Sequence, residues 1–101
     1  MPVFTKHIQS TQVAENSSLV LECQVTGVPR PTVSWFKNNE SVEGMGGVVV
    51  MDGDEDGITC LKIDRLQRDH SGHYACRAKN DAGEASSTAL IKVIRKFRFT
   101  V

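Results

Sequence analysis

The chain has 101 residues, 40% of them apolar and 24% charged, with 12 basic and 12 acidic side chains and a formal net charge of zero. That length supports one domain with a modest core, and the apolar content is too high for general disorder. The balanced charge argues against a dedicated nucleic-acid binder, and no apolar run reaches the ~18–20 residues that cross a bilayer as a helix.

Met1 to His7 lack the apolar stretch of a signal peptide. After the turn residues Glu15-Asn16-Ser17-Ser18, Leu19, Leu21, Cys23 and Val25 share one face and Val20, Glu22 and Gln24 the other. Gly27-Val28-Pro29-Arg30-Pro31 breaks the chain again, and Val33 and Trp35 then alternate with Ser34 and Phe36. Turn-forming stretches at Gly44 to Gly47 and Asp52 to Gly57 lead to Leu61 and Ile63, which alternate with Cys60, Lys62 and Asp64. Asp64 to Ser71 is polar and has room for one helical turn. Tyr74, Cys76 and Ala78 follow, alternating with His73, Ala75, Arg77 and Lys79, and beyond Asn80 to Gly83 come Ala89, Ile91 and Val93 with Leu90 and Lys92 between them. Side chains of a strand point to opposite faces at each step, so this period of two predicts half-buried antiparallel strands. Short strands separated by turns favour an all-β sandwich of two sheets. Arg95 to Val101 run past the last core pair as a tail or linker, leaving a domain over residues 1–94.

Cys23, Trp35, Tyr74 and Cys76 all fall on inward positions. Trp35 lies twelve positions after Cys23, and Tyr74 two before Cys76. This set resembles the immunoglobulin fold, and Asp69-His70-Ser71-Gly72-His73-Tyr74-Ala75-Cys76 matches that family's Asp-x-Gly-x-Tyr-x-Cys. Gly27 to Lys37 and Asn80-Asp81-Ala82-Gly83-Glu84-Ala85 look like its I-set branch. Pro2-Val3-Phe4, the acidic stretch before Leu61-Lys62-Ile63, and Gly83 through Val93 are similar to modules of the titin, twitchin, obscurin, palladin and myosin light chain kinase group. The resemblance implies an I-set sandwich of two antiparallel sheets with Greek-key connections and a core signature of Cys23, Trp35, Leu61, Ile63, Asp69, Gly72, Tyr74 and Cys76. The Tyr74 hydroxyl is expected to bond back to the backbone. Cys23 and Cys76 have faces suited to a disulfide, or stay reduced as small core hydrophobes in the cytosol. Cys60 is then a free thiol on an outer face. The family often pairs the equivalent of Asp69 with an Arg or Lys further up the chain. Gly46-Gly47-Val48-Val49-Val50 offers none, so Asp69 is expected to find Arg65, Arg68 or backbone N–H groups.

No residue set points to chemistry. Asp52-Gly53-Asp54-Glu55-Asp56-Gly57 imitates the start of a calcium loop, but Ile63 stands where a bidentate Glu belongs, so a solvated acidic hairpin is expected. His70 and His73 are expected as surface histidines, not zinc ligands. Ser71 beside His70 implies no catalytic pocket, and Gly44-Met45-Gly46-Gly47 precedes a strand and so is no phosphate loop. Neither an enzyme, a cofactor nor a small-molecule substrate is expected.

Two surfaces are candidates for function. In the I-set arrangement one pole collects Asp52, Asp54, Glu55, Asp56, Asp81 and Glu84, and the other, with the tail, collects Arg65, Arg68, Arg95, Lys96 and Arg98. Complementary poles would help successive modules orient. One outer face gathers Ser34, Phe36, His73, Arg77, Lys79, Leu90 and Lys92, a mixture suited to docking a protein. The resemblance implies a scaffold or spacer module of an intracellular, cytoplasmic muscle or cytoskeletal protein, with neighbouring immunoglobulin or fibronectin-type modules and cytoskeletal proteins as partners. The alternative is an extracellular adhesion or receptor module, favoured by Asn16-Ser17-Ser18 and Asn39-Glu40-Ser41, which fit the N-glycosylation pattern.

Overall fold

The computed structural model describes residues 1–52 and 57–95, with the backbone alone for Asp52. Among the described residues, alternation becomes nine strands: β1 (Val3–Lys6), β2 (Thr11–Ala14), β3 (Leu19–Thr26), β4 (Thr32–Lys37), β5 (Glu40–Ser41), β6 (Val48–Asp52), β7 (Ile58–Ile63), β8 (Gly72–Asn80) and β9 (Gly83–Ile94). The polar stretch after β7 supplies one 3₁₀ turn, Arg68–His70. Sheet I has the order β1-β3-β7-β6 and sheet II the order β2-β9-β8-β4-β5. Among the described residues every ladder is antiparallel except one. β2 runs parallel to β9, with Thr11 opposite Ile91 and Ala14 opposite Ile94, because the chain crosses from sheet I to sheet II between β1 and β2. The crossing is tied down by buried Ser87 of β9, whose hydroxyl accepts the Ile8 N–H at 3.0 Å and lies 3.0 Å from His7 Nδ1.

The two sheets face each other across matched rows. Leu19, Leu21 and Cys23 of β3 stand opposite Ile63, Leu61 and Thr59 of β7. On sheet II, Trp35 and Cys76 are register partners, and Cys76 in turn faces Ser87. Cys23, Leu61, Ile63, Tyr74 and Cys76 are fully buried and Trp35 nearly so. Burying each large apolar side chain contributes roughly 1.5–3 kcal/mol relative to exposure, which makes these rows the main source of cohesion. The Cys23 thiol donates toward the Cys76 sulfur at 3.1 Å, so the two side chains meet in the interior.

The polar ends of Trp35 and Tyr74 both find partners. Trp35 Nε1–H donates to Thr59 Oγ1 at 2.9 Å. The Tyr74 hydroxyl donates to the His70 carbonyl at 2.5 Å, locking the corner that leads into β8. Burial, helped by the Asp69 carboxylate, pushes the Tyr74 phenol up to about 12. At the opposite end, Gly57 enters β7 with φ +74°, and a Cβ there would lie 2.1 Å from the Val25 carbonyl oxygen. Only glycine fits so close to a neighbouring strand.

The corner departs from expectation in two places. Asp69 is exposed, and no ion pair to Arg65 or Arg68 forms among the described residues. The cation that comes is Lys37, which donates to the Asp69 carbonyl oxygen, not to its carboxylate. Lys37 shares the register row of Tyr74, and its stem carries the ammonium out of the sandwich. His70, expected at the surface, is buried, and its Nδ1 accepts the Gln67 N–H at 2.8 Å. The 3₁₀ turn rolls His70 inward and leaves Asp69 outward.

Candidate protein-interaction face

On the outer side of sheet II, β4, β8 and β9 set three rows side by side: Thr32, Lys79 and Glu84; Ser34, Arg77 and Ser86; Phe36, Ala75 and Thr88. Small Ser and Ala side chains leave the larger ones standing proud. Phe36 is half-buried because the Arg77 guanidinium lies over its ring, 4.6 Å from the centroid. A cation over an aromatic face is worth ~0.5–1 kcal/mol at an exposed site. Phe36, Arg77 and Lys79 line an open groove of about 480 Å³ together with Pro29, Asp81 and Glu84. His73 and Leu90 form the next exposed row. Lys92 lies further along, opposite Gln12. The structure therefore gathers the sequence-predicted face into a groove and an adjoining strip.

The poles are partly described. Asn80 Nδ2–H donates to the Pro29 carbonyl at 2.8 Å, so the β3–β4 and β8–β9 connections meet at one pole, where Asp81 and Glu84 are exposed. At the other, Asn16 N–H donates to the Leu66 carbonyl at 2.8 Å and Glu15 N–H to the Ile94 carbonyl at 2.8 Å. Arg65, Arg68 and Arg95 are exposed there. The Asp52 side chain, Asp54, Glu55, Asp56, Lys96 and Arg98 lie outside the described residues, as does all of 53–56 in the acidic hairpin.

Sheet I presents a different outer face. Lys6 Nζ is 2.7 Å from Glu22 Oε1, and the half-buried Cys60 thiol donates to Glu22 Oε2 at 3.6 Å. Burial and the adjacent carboxylate raise the Cys60 thiol above its ordinary range, so Cys60 is a less reactive thiol than its outward register position suggests. The Glu22 contact raises the Lys6 ammonium as well. Val20, Val49 and Met51 stand exposed beside this cluster.

Comparison with known proteins gives one consistent picture. The model of the immunoglobulin I-set domain matches residues 2–93. Palladin of Rattus norvegicus is 41% identical over 92 residues, 91% of this chain and 15% of that protein. Vascular endothelial growth factor receptor 1 of Gallus gallus is 34% identical over 92 residues, 91% of this chain and 7% of the receptor. The chain thus spans a small part of the length of the relatives it matches. Among solved structures, titin domains Z1Z2 in complex with telethonin superpose with a TM-score of 0.86 at 34% identity, covering 94% of this chain and 48% of that one.

Proposed function

From a chain that belongs to the immunoglobulin I-set family, we propose a non-catalytic spacer and protein-docking module of an intracellular cytoskeletal or muscle protein. The observation that carries this reading is the placing of the two chain ends. Met1 lies beside Gly83, where β9 begins, and the chain leaves at Ile94, where β9 ends. Twelve strand residues at about 3.3–3.4 Å each put entry and exit roughly 37 Å apart. A module entered at one pole and left at the other adds length to a string of modules, while its outer faces stay free for partners.

Similarity to palladin, and to titin Z1Z2 in a complex with telethonin, supports protein partners of this class. The groove under Arg77 and Phe36 is the surface that receives them. Residues 95–101 serve as the linker to the next module. Asp81 and Glu84 at one pole and Arg65, Arg68 and Arg95 at the other orient successive modules through a salt-sensitive attraction.

Deleting residues 2–93 from the full-length protein and measuring its co-sedimentation with cytoskeletal filaments tests the reading. Reduced retention is expected, and unchanged retention would contradict it. A second reading, an extracellular receptor or adhesion module, draws on exposed Asn16 and Asn39 and on the receptor relative. Intact-mass measurement of native material separates the two, since the first predicts no glycan at either Asn.

A further inference from the structure

Residues two apart on a strand stand on one face, about 6.6–6.8 Å from each other. Arg77 and Lys79 of β8 form such a pair on the outside of sheet II, and both are exposed. Among the described residues, no carboxylate comes within ion-pair distance of either, although Lys79 and Glu84 are register partners. Small neighbours leave this column open. Ser34 and Ser86 flank Arg77, and Ala75 stands in the next row beside Phe36. The Arg77 guanidinium is held over the Phe36 ring, 4.6 Å from the centroid. The ring steadies the cation and accepts none of its N–H groups as an oxygen would. Those groups form a planar fork that matches a carboxylate through two parallel hydrogen bonds.

Building on the reading of this groove as the docking surface, we propose that it takes an extended acidic segment of a partner protein. The segment carries two carboxylates two residues apart and an apolar side chain two residues beyond the carboxylate on Arg77. An extended chain repeats every two residues, as β8 does, so its same-face side chains match the rows of Lys79, Arg77 and Ala75 in turn. One carboxylate meets the Lys79 ammonium, the next takes the Arg77 fork, and the apolar group settles over Ala75 against Phe36. Hydroxyls of Ser34 and Ser86 stand on either side for the backbone of the segment. The groove's own carboxylates narrow the choice further. Asp81 and Glu84 line it at the Lys79 end, so a longer acidic run meets like charge there. A nucleic-acid strand, charged at every step, meets the same repulsion, and two isolated carboxylates avoid most of it. The tail of another copy has the wrong sign, since Arg95, Lys96 and Arg98 are basic.

The probe is a fluorescent peptide, Ser-Glu-Thr-Glu-Thr-Leu-Ser, titrated into the 101-residue chain and followed by anisotropy and by backbone amide shifts. Saturable binding with a Kd below roughly 1 mM is expected. It should weaken as salt is added, with the shifts centred on Ser34, Arg77 and Lys79. The same peptide with both Glu replaced by Gln should bind about tenfold more weakly. Arg77→Ala and Arg77→Lys should each cost a similar factor, because lysine keeps the charge and loses the fork. Arg77 is exposed, so both variants fold, and Val20→Ala on sheet I should leave binding unchanged. No binding, equal binding of the Glu and Gln peptides, or full binding by either Arg77 variant would overturn the proposal. So would a single-stranded oligonucleotide that binds the groove more tightly than the peptide. Arg77 amide shifts that appear on concentrating the chain alone would assign the groove to a second copy, with the same consequence. If deleting residues 2–93 lowers filament retention and the peptide fails, the docking reading stands and the acidic segment falls.

Discussion

Phe36 on the outside of sheet II lies under a guanidinium, among Ser34, Ala75 and Ser86, with Lys79 facing Glu84 in the next row. On the outside of sheet I, Val20, Val49 and Met51 stand open to solvent, and the charges gather instead around Glu22 between Lys6 and Cys60. Both faces come from the same alternation over the same interior. Their inward halves are constrained alike by packing around Trp35, Tyr74 and the two thiols, so they differ only where packing does not decide. Outward positions set what a partner would meet, and the two sheets present different chemistry there.

Removing the shared interior should disable both faces together. Trp35→Ala leaves a cavity between the sheets and removes the indole donor to the Thr59 hydroxyl, and a loss of about 3–5 kcal/mol is expected in denaturant titration. A loss below ~1 kcal/mol would mean that the indole is not the keystone of the packing. Tyr74→Phe keeps the ring and deletes the bond to the His70 carbonyl, for a smaller loss of about 1–2 kcal/mol. The same phenol gives a pH test. Its folded value, about 12, lies above the ordinary 10, so the folded state favours the neutral form. That contribution is complete below pH 10 and is lost as the pH rises from about 10 to 12, by an amount on the order of 2 kcal/mol. Tyr74→Phe should flatten this part of the stability–pH curve.

Finer substitutions sharpen the contrast between the faces. Phe36→Ala on sheet II should cost about 1 kcal/mol through its lost packing and its lost contact with Arg77, whereas Val20→Ala on sheet I should stay within ~0.5 kcal/mol. Equal costs would erase the distinction drawn between a covered aromatic and an open aliphatic. The smallest effect concerns Glu22→Gln, which removes the carboxylate beside Cys60 but not the burial that is the larger cause of its raised value. Alkylation of Cys60 at mildly alkaline pH should quicken a few-fold, visible by mass spectrometry, and still lag a fully exposed thiol.

The strands that alternate cleanly, β3, β4, β7, β8 and β9, were legible from their residues alone, and the Cys–Trp–Tyr–Cys spacing named the sandwich. β6 was harder, because Val48-Val49-Val50 shows no alternation, and β1 and β2 carry too few apolar residues to announce themselves. The parallel pairing of β2 with β9 joins residues about eighty positions apart, and nothing local encodes it. Thr59 shares the period of Leu61 and Ile63, so extending that alternation by two residues would have marked it as inward. Asp69 and His70 exchanged their expected environments because a 3₁₀ turn advances three residues per turn and does not keep a strand's alternation. On the outer faces, the register rows followed from alternation, but the guanidinium lying over Phe36 depends on side-chain conformations that spacing does not specify.

Small-angle scattering on two copies joined in sequence through residues 95–101 tests the central claim, that the module adds its length to a string. Two strand-lengths of about 37 Å each, plus the poles and linker, predict a maximum dimension of roughly 80–90 Å and an elongated profile. A compact particle of about 50 Å, with the modules folded side by side, would contradict the account.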